Sequence, residues 1–296
     1  MISVCIPIHN YYVFPLAQRI RRQSQNLGVE VEIVCIDDFS SSYYTRQNQG
    51  LSDFTNYVCL AQNIGRARIR NLFLRYAKGD WLLFLDNDMV VPDNFMKTYV
   101  KALESNTSVV VGGISFDPSS DDREHHLRFL YSSKVESRSL ETRMADPYSS
   151  FMTGNFMIRR DVFVHYHFDS SISKYGHEDT LLGYRLRQNK VPILHIDNPA
   201  INGQIETNVE FLHKTSEAVE NLAIIYDTMW EDQTFCRSVR LLDTYGRLRR
   251  MKMIAPIYRL FRLTRKNLEK KLVSGVNIHL WQLNFYKLGL FIHLTR

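Results

Sequence analysis

Two aspartates stand at the end of an apolar run in the first third of the chain. Asp86-Asn87-Asp88 follows directly after Trp-Leu-Leu-Phe-Leu at residues 81–85, a run with the composition of a buried strand. Carboxylates are hard oxygen ligands, and Mg²⁺ or Mn²⁺ held by one or two of them keeps coordination positions open for phosphate oxygens. The spacing therefore favours a site for a metal ion and a diphosphate. The simpler alternative is an Asp-rich turn, the commoner meaning of such a tripeptide alone.

A second acidic strand end and a basic helix start are further candidate parts of this site. Asp38 ends the second strand-like run, and Asn63-Ile64-Gly65-Arg66 opens a predicted helix. Parallel strands bring their carboxyl ends to one edge, so Asp38 could share a crevice with the first pair and bind a nucleobase or ribose. A helix N-terminus attracts phosphate, and Arg66 would strengthen that attraction. The alternatives are an Asx turn at Asp38 and solvated arginines on an exposed helix side.

Acidic residues also begin a later predicted helix. Glu178 and Asp179 follow Tyr175-Gly176-His177, at a position where the helix dipole stabilises carboxylates and where they could simply cap the helix. Within hydrogen-bond reach of an acceptor hydroxyl, such a carboxylate could instead act as a general base, because removing the proton makes the attacking oxygen a stronger nucleophile. His195, beside a predicted strand, is a candidate metal ligand, although a lone histidine there is more often a hydrogen-bonded core residue.

The scaffold for these residues is indicated by alternating strand-like and helix-like patterns. Near-continuous β-branched runs predict buried strands, and apolar residues at helical spacing predict the helices between them. The predicted strands are residues 2–8, 31–36, 57–61, 81–85, 108–116, 151–159 and 191–196, and the predicted helices are residues 14–26, 64–77, 178–188 and 208–226. This alternation predicts an α/β fold with a mostly parallel sheet between helices. Residues 117–146 are polar without a clear period and fit equally a mobile substrate loop and a poorly packed insertion.

Length and composition exclude several classes of protein. The chain has 296 residues, 45% hydrophobic and 23% charged, which suits one large domain with an appendage and argues against disorder or a multi-span membrane protein. The four cysteines lack disulfide spacing and predict reduced thiols in a cytosolic protein. A strand-like run starting at Ile2 leaves no room for an export signal, and polar residues interrupt the apolar stretch at residues 276–294.

The C-terminal segment carries a net positive charge. Residues 237–296 contain 14 Lys or Arg and 2 Asp or Glu, which leaves 23 basic and 29 acidic residues in the rest of the chain. Between residues 247 and 271, basic and apolar residues interleave in a pattern that predicts association with an anionic membrane surface. The alternative is ordinary packing of the apolar side on the body of the protein. No zinc-finger or RNA-recognition signature indicates a nucleic-acid partner.

Taken in order, six motifs resemble those of family 2 inverting glycosyltransferases of the GT-A fold. The match covers roughly residues 1–200 and consists of Ser3-Val4-Cys5-Ile6-Pro7-Ile8-His9-Asn10, Asp37-Asp38-Phe39-Ser40, Asn63-Ile64-Gly65 with Ile69-Arg70-Asn71, Asp86-Asn87-Asp88, Thr153-Gly154-Asn155 and Gly176-His177-Glu178-Asp179. The resemblance implies a nucleotide-sugar donor, usually a UDP-sugar, and a Mn²⁺ or Mg²⁺ cofactor. In related bacterial sequences a histidine often follows an Asp-Asn-Pro element. Here Asp197-Asn198-Pro199 leads to Ala200, so the resemblance supplies no third protein ligand.

The resemblance also implies roles for individual residues. Donor-binding residues would be Pro7 and Asp38 at the base, Asn63 and Arg66 near the nucleotide, and Asp86 near the ribose. Asn87 is also expected to bind the donor. Asp88 would be the principal metal ligand, with Asp86 also facing the metal. His195 is a candidate ligand from its residue type alone, not from the resemblance. Gly154 and Asn155 would border the sugar and acceptor, and Asp179, with Glu178 beside it, would supply the catalytic base.

We therefore expect a GT-A domain at residues 1–207 and a helical, basic amphipathic extension at residues 208–296. The expected activity is metal-dependent, inverting transfer of a sugar from a nucleotide-sugar to a glycan or lipid-linked acceptor, in the assembly of bacterial surface polysaccharide or glycolipid. The expected location is cytoplasmic, peripheral at the inner face of the plasma membrane. The alternatives are a non-catalytic sugar-nucleotide-binding or scaffold protein and a sugar nucleotidyltransferase. A nucleotidyltransferase should carry a glycine- and arginine-rich phosphate loop after its first strand, and residues 8–12 contain none.

Overall fold

The computed structural model describes residues 1–172 and 175–296. Within them, the strands are β1 Ile2–Ile8, β2 Val31–Asp37, β3 Asn56–Cys59, β4 Trp81–Leu85, β5 Met89–Val90, β6 Val109–Val111, β7 Ile114–Phe116, β8 Asn155–Arg159, β9 Ile193–His195 and β10 Ala200–Asn202. The α-helices are α1 Phe14–Gln23, α2 Ser42–Gln47, α3 Arg66–Tyr76, α4 Phe95–Ala102, α5 His126–Tyr131, α6 Leu140–Ala145, α7 Arg160–His165, α8 Glu178–Gln188, α9 Asn208–Met229, α10 Gln233–Ser238, α11 Arg240–Arg250, α12 Ile254–Ser274 and α13 Leu280–Leu294.

Residue contacts divide the chain into two compact units. The first unit covers residues 1–117, 137–172 and 178–204, and the second covers residues 118–136, 175–177 and 205–296. The second unit thus takes in short segments from the middle of the chain as well as the C-terminal helices. The domain boundary expected at residue 207 stays a prediction.

The first unit is built on a seven-stranded sheet in the order β3-β2-β1-β4-β8-β6-β9. All neighbouring pairs are parallel except those of β8, which is antiparallel to both β4 and β6. Apolar clusters cover both faces of the sheet: α1 and α4 contribute to one, and α3, α7 and α8 contribute to the other. Burial on both faces explains the near-continuous apolar composition of the strands. The predicted mostly parallel α/β fold is confirmed.

A small second sheet, in the order β5-β10-β7, also belongs to the first unit. Each of its strands comes shortly after the carboxyl end of a main-sheet strand, so the small sheet extends the edge where the acidic residues lie. It also divides the single strand predicted at residues 108–116. That strand breaks at Gly112 and Gly113, because Gly113 has a left-handed φ of 90° and a Cβ at Gly112 would clash with Asn155 and Asn198.

The second unit is helical. Its long helix α9 starts with a capping box between Thr207 and Glu210, and α12 ends at Gly275, whose φ of 65° is left-handed. Helix α12 packs against α9 and α13 around buried aromatic and aliphatic side chains, among them Phe261, Leu272 and Phe291. None of the helices that the structure describes is both long enough and apolar enough to cross a lipid bilayer.

The stretch predicted to be irregular, residues 117–146, contains helices α5 and α6 and a π-helical turn at Ser132–Glu136. Two buried arginines hold parts of this stretch in place. In the second unit, Arg128 forms ion pairs with Glu136 and Glu206 at 2.7 and 2.8 Å. In the first unit, Arg143 donates hydrogen bonds to the carbonyl oxygens of Val111 and Ile196 at 3.2 and 2.9 Å. The segment is thus anchored by buried charges as well as by apolar side chains such as Leu127, which is fully buried.

Candidate active site

The carboxyl edge of the main sheet gathers several of the predicted site residues. Strands β1, β2 and β4 are parallel and in register, so Asp38 after β2 and Asp86 after β4 leave the sheet on the same edge. Strand β8 runs the opposite way and begins at this edge, where Asn155 pairs with Leu85. The backbone N–H of Asp86 donates to the carbonyl oxygen of Gly154 at 3.1 Å.

Asp38 fixes the loop that leads into α3. Its Oδ1 and Oδ2 accept hydrogen bonds from the backbone N–H groups of Ile64 and Gly65 at 2.7 and 3.0 Å. Its carbonyl oxygen lies 3.1 Å from Nδ2 of Asn63 and 3.0 Å from Nδ1 of His9. Asp38 therefore holds together the loops after β1, β2 and β3. A direct contact of Asp38 or Asn63 with a nucleotide stays a prediction.

The Asx turn that was the alternative interpretation of Asp38 is made by Asp37. Oδ1 of Asp37 accepts the backbone N–H of Ser40 at 2.7 Å, and its Oδ2 accepts the Tyr57 hydroxyl at 3.0 Å. Burial and nearby acidic groups, including Asp37, raise the pKa of Tyr57, so the phenol stays protonated and can donate. Asp37 is thus structural, and its partners differ from those of Asp38.

Asp86 is bound by an arginine for which the motif pattern predicts no role at the site. Nη2 of Arg70 lies 2.6 Å from Oδ1 of Asp86, and Nη1 donates to the carbonyl oxygen of Arg66 at 3.1 Å. The Arg70 side chain is 3% exposed, and that of Asp86 is 24% exposed. The sequence does indicate that Arg70 is buried. It comes three residues after the buried Ala67 and three before the buried Phe73, on the inward side of α3.

The second oxygen of Asp86 faces Gly154. A Cβ added at Gly154 would lie 3.2 Å from Asp86 Oδ2 and 2.8 Å from Cδ1 of Ile114. Only glycine therefore fits here without crowding this carboxylate oxygen and Ile114. Asn155, the next residue, is buried: it accepts from the Tyr99 hydroxyl at 2.6 Å and donates to the carbonyl oxygens of Gly113 and Asn198 at 2.8 and 2.9 Å. Both amide hydrogens of Asn155 are used in hydrogen bonds within the protein, so its side chain fixes the backbone next to Gly154.

Asp88 lies in the turn between β4 and β5 and is half-buried. Its carbonyl oxygen accepts the backbone N–H of Gly203 at 2.8 Å, which ties the turn to the small sheet. Burial and the negative charge of Asp88 raise the pKa of Tyr11. The Tyr11 backbone is held by Asn48, whose Nδ2 donates to its carbonyl oxygen at 2.7 Å. The loop after β1 therefore brings Tyr11 into the electrostatic field of Asp88, a relationship that no local sequence pattern indicates.

His195 does not join the acidic pair. Its side chain is buried at the end of β9, with Nδ1 3.2 Å from Nη1 of Arg143 and Nε2 2.9 Å from the carbonyl oxygen of Pro147. Because an arginine can only donate, Nδ1 accepts and Nε2 carries the hydrogen. Burial and the Arg143 charge lower the pKa of His195. Both ring nitrogens are engaged within the protein, so we leave His195 out of the metal site.

The donor set at the edge is small but has the right chemistry for a divalent cation. The described residues contain no group of three or more His, Cys, Asp or Glu side chains arranged to hold a metal ion. Asp86 and Asp88 provide hard oxygen donors, and Asp86 Oδ2 lies beside Gly154. Two carboxylates suit Mg²⁺ or Mn²⁺ when phosphate oxygens and water complete the octahedron. The residues thus fit a metal ion that is shared with a diphosphate.

Glu178 and Asp179 begin α8, which leads directly into β9. Because β9 is parallel to β6, the helix before it must run back from the carboxyl edge, so its first turn lies toward that edge. Glu178 is only 5% exposed, whereas Asp179 is half-buried, with Oδ1 accepting the backbone N–H of Thr180 at 2.7 Å. Of the two carboxylates, Asp179 is therefore the more accessible.

The remaining predicted residues lie on the same edge of the first unit. Pro7 is the second-last residue of β1, Asn87 lies in the turn between Asp86 and Asp88, and Arg66 is the exposed first residue of α3. An α/β unit that presents an acidic pair, a helix start and the Asp179 carboxylate along one sheet edge has the organisation of a GT-A glycosyltransferase.

Comparison with known proteins identifies the family. Residues 3–166 match the profile of Glycosyl transferase family 2. The match spans more than half of the chain, so the protein belongs to this family of glycosyltransferases, as the motif series predicted.

Two bacterial relatives are similar in sequence. Glycosyltransferase GlyG of Streptococcus pneumoniae serotype 4 (strain ATCC BAA-334 / TIGR4) is 24% identical over 214 residues, which are 66% of this chain and 68% of GlyG. The uncharacterized glycosyltransferase YfnE of Bacillus subtilis (strain 168) is 26% identical over 235 residues, 63% of this chain and 60% of YfnE.

Solved structures share the fold at low sequence identity. S. aureus TarS 1-349 in complex with UDP-GlcNAc has a TM-score of 0.53 at 15% identity, covering 99% of this chain and 89% of TarS 1-349. The mannosyltransferase PcManGT from Pyrobaculum calidifontis, in complex with GDP-Man and Mn²⁺, has a TM-score of 0.55 at 12% identity, covering 97% and 85%. Glucosyl-3-phosphoglycerate synthase from Mycobacterium tuberculosis, with Mn²⁺ and UDP, has a TM-score of 0.52 at 14% identity, covering 77% and 79%.

Proposed function

We propose that the protein is a metal-dependent inverting glycosyltransferase that moves a sugar from a nucleotide-sugar, preferably a UDP-sugar, to a hydroxyl of a glycan or lipid-linked acceptor. The proposed setting is the assembly of bacterial surface polysaccharide or glycolipid. The observation that carries this proposal is the acidic pair Asp86 and Asp88 at the carboxyl edge, with Arg70 fixing one oxygen of Asp86 and the other oxygen beside Gly154. The UDP-GlcNAc bound to TarS 1-349 and the GDP-Man and Mn²⁺ bound to PcManGT support the same choice of ligands.

Asp88 is proposed as the principal metal ligand on the resemblance of Asp86-Asn87-Asp88 to the family motif, and Arg70 neutralises part of the charge on Asp86. Asp86 would complete the protein's share through Oδ2, and the donor's diphosphate would supply further oxygens. Bound Mg²⁺ or Mn²⁺ offsets the negative charge that grows on the departing diphosphate. Tyr11, whose phenol stays protonated beside Asp88, can donate a hydrogen bond in the same region.

The donor nucleotide is proposed to lie along the loops after β1, β2 and β3. Pro7 and Asp38 would line the base pocket, with Asn63 and Arg66 next to the nucleotide and Asn87 near the ribose. Asp38 acts here through the loop it holds, because both of its carboxylate oxygens accept backbone N–H groups. The donor pocket would thus be preorganised by the protein before the nucleotide arrives.

In the proposed reaction Asp179 takes the proton from the acceptor hydroxyl while that oxygen forms a bond to the anomeric carbon. The bond between the anomeric carbon and the phosphate oxygen breaks, and its electron pair leaves with the nucleoside diphosphate. Attack from the side opposite the leaving group inverts the anomeric centre. Asp179 is preferred to Glu178 because Glu178 is buried.

Activity of purified protein tests the proposal. We expect transfer or slow hydrolysis of one member of a nucleotide-sugar panel in the presence of Mn²⁺, and loss of at least about 100-fold in Asp88→Asn and Asp179→Asn. The matched control is Asp93→Asn, which changes an aspartate whose side chain is 97% exposed and which should leave the rate unchanged. Nucleotide-sugar binding without any turnover, equal in all four proteins, would favour the non-catalytic alternative.

A further inference from the structure

In the second unit, one side of α12 combines exposed apolar and basic side chains. The opposite side of the helix is buried through Phe261, Leu268 and Leu272, where α12 packs in the unit. Leu260 and Leu263, in contrast, are 53% and 83% exposed. Two large apolar side chains one turn apart therefore remain in water within this unit, and they do not complete its core.

Basic residues flank these leucines. With about 3.6 residues per turn, positions 259, 263, 266 and 270 follow one stripe of the helix, with positions 260 and 262 on either side of it. All six side chains are exposed. We define the α12 outer face as Arg259, Leu260, Arg262, Leu263, Lys266 and Lys270.

Acidic charge is scarce around this face. Residues 247–271 include ten Lys or Arg and a single acidic residue, Glu269. Glu269 is bound to Arg265 at 2.8 Å, so its charge is already compensated. The α12 outer face therefore carries concentrated positive charge that suits an anionic partner.

The turn before α12 extends the same composition. Met251 and Met253 are 68% and 41% exposed, and Lys252 lies between them with a left-handed φ of 58°. Arg249 and Arg250, at the end of α11, are also exposed. Flexible apolar side chains among basic ones thus continue past the N-terminal end of α12.

We infer that the α12 outer face, together with Met251 and Met253, docks on the surface of an anionic lipid bilayer. Leucine and methionine side chains would enter the boundary between headgroups and acyl chains, while the basic side chains contact lipid phosphates. A nucleic acid would match the charges but leave the four apolar side chains in water. This surface lies wholly in the second unit, so the inference does not depend on the proposed transfer reaction.

Co-sedimentation of the full chain with lipid vesicles tests this surface. We expect binding to vesicles of phosphatidylcholine mixed with phosphatidylglycerol, weaker binding at high salt, and little binding to phosphatidylcholine alone. Two variants should each weaken binding at least about tenfold: the apolar variant Leu260→Ser with Leu263→Ser, and the charge variant Arg259→Gln, Arg262→Gln, Lys266→Gln and Lys270→Gln. Because these side chains are exposed, both variants should retain the circular dichroism and melting temperature of the parent protein.

Matched controls test whether vesicle binding depends on this face or only on total positive charge and exposed apolar surface. The charge control removes four exposed basic residues of the first unit, Lys97→Gln, Lys101→Gln, Arg187→Gln and Lys190→Gln. The apolar control is Val164→Ser with Met144→Ser, whose side chains are 51% and 57% exposed. Both controls should bind vesicles like the parent. Equal losses in the controls, unchanged binding in the α12 variants, or binding to duplex DNA in place of vesicles would each overturn the inference.

Discussion

Nη2 of Arg70 lies 2.6 Å from Oδ1 of Asp86, and this ion pair joins the inward side of α3 to the acidic pair at the end of β4. The arginine is almost fully buried, and its guanidinium carbon lies 5.9 Å from the centre of the Phe168 ring. A charge-assisted bond from a packed side chain fixes one oxygen of Asp86 and leaves the other to face Gly154. The position of Asp86 is therefore set by the protein core.

Arg70→Lys tests this relationship. Lysine keeps the positive charge but cannot donate to both Asp86 and the carbonyl oxygen of Arg66 from a planar group, so Asp86 should lose its fixed orientation. We expect kcat/KM for the donor to fall about 10–100-fold, the range found when residues that orient metal ligands are changed. Steady-state kinetics measure the change, with Arg75→Lys on the exposed part of α3 as the control. Equal kinetics for both variants would contradict this role.

Asp38→Asn should weaken the loop before α3. Asparagine offers one acceptor oxygen where the carboxylate accepts from both Ile64 and Gly65, and its NH₂ group would face a backbone N–H. We expect the free energy of unfolding to drop by about 1–2 kcal/mol and KM for the donor to rise. Urea unfolding and initial-rate kinetics measure these effects, with Asp53→Asn as an exposed control. A stable variant with an unchanged KM would show that the loop holds without these bonds.

Gly154→Ala should damage the site while largely preserving the fold. The new methyl group would lie 3.2 Å from Oδ2 of Asp86 and 2.8 Å from Ile114 Cδ1, so one of these neighbours must move. We expect kcat to fall at least about tenfold, because a shift of about 1 Å at a reacting group can cost more than that. Gly246→Ala is the control, since a Cβ there meets nothing within 4 Å. Full activity in Gly154→Ala would mean that the Asp86 oxygen does not need this space.

The buried ion pairs of the second unit predict a pH dependence of stability. Burial alone would raise the pKa of Glu206, but Arg128 and Lys214 outweigh it and lower the pKa to about 2. Since the folded-state pKa lies below the usual value, the stabilisation is complete above the unfolded-state pKa and is lost as the pH falls from about 5 to about 2. The loss should be about 3 kcal/mol.

Urea unfolding at several pH values measures this effect, followed by tryptophan fluorescence in a Trp81→Phe background, where the signal comes from Trp230 and Trp281 of the second unit. Glu206→Gln should be less stable than the parent at pH 7 and should change less between pH 5 and pH 2. A variant with the same pH profile as the parent would show that Glu206 is not the titrating group.

The strand ends were predictable because buried parallel strands are continuous apolar runs, and a polar residue after such a run marks the edge of the sheet. Asp38, Asp86 and Asp88 were therefore expected at one edge, and the strand register brings Asp38 and Asp86 there. The helix start at Glu178 was predicted in the same way from apolar spacing.

Buried charged residues were the feature that the sequence predicted least well. Arg128 and Arg143 give no local sequence signal of burial, and Arg70 gives only its place on the inward side of α3, yet each of the three is less than 7% exposed. Their partners are carboxylates or carbonyl oxygens distant in the chain, and pairing across such distances has no local signature. The antiparallel direction of β8 and the burial of Asn155 follow from the same long-range packing, which local patterns do not encode.

Calorimetric titration of the preferred nucleoside diphosphate, chosen by the donor panel, tests the central claim most directly. The account predicts tight binding with Mn²⁺, binding at least about tenfold weaker with EDTA or in Asp88→Asn, and only weak binding of Mn²⁺ alone. Equal nucleotide affinity with and without metal, in both the parent and Asp88→Asn, would contradict a shared metal and diphosphate site at the Asp86 and Asp88 pair.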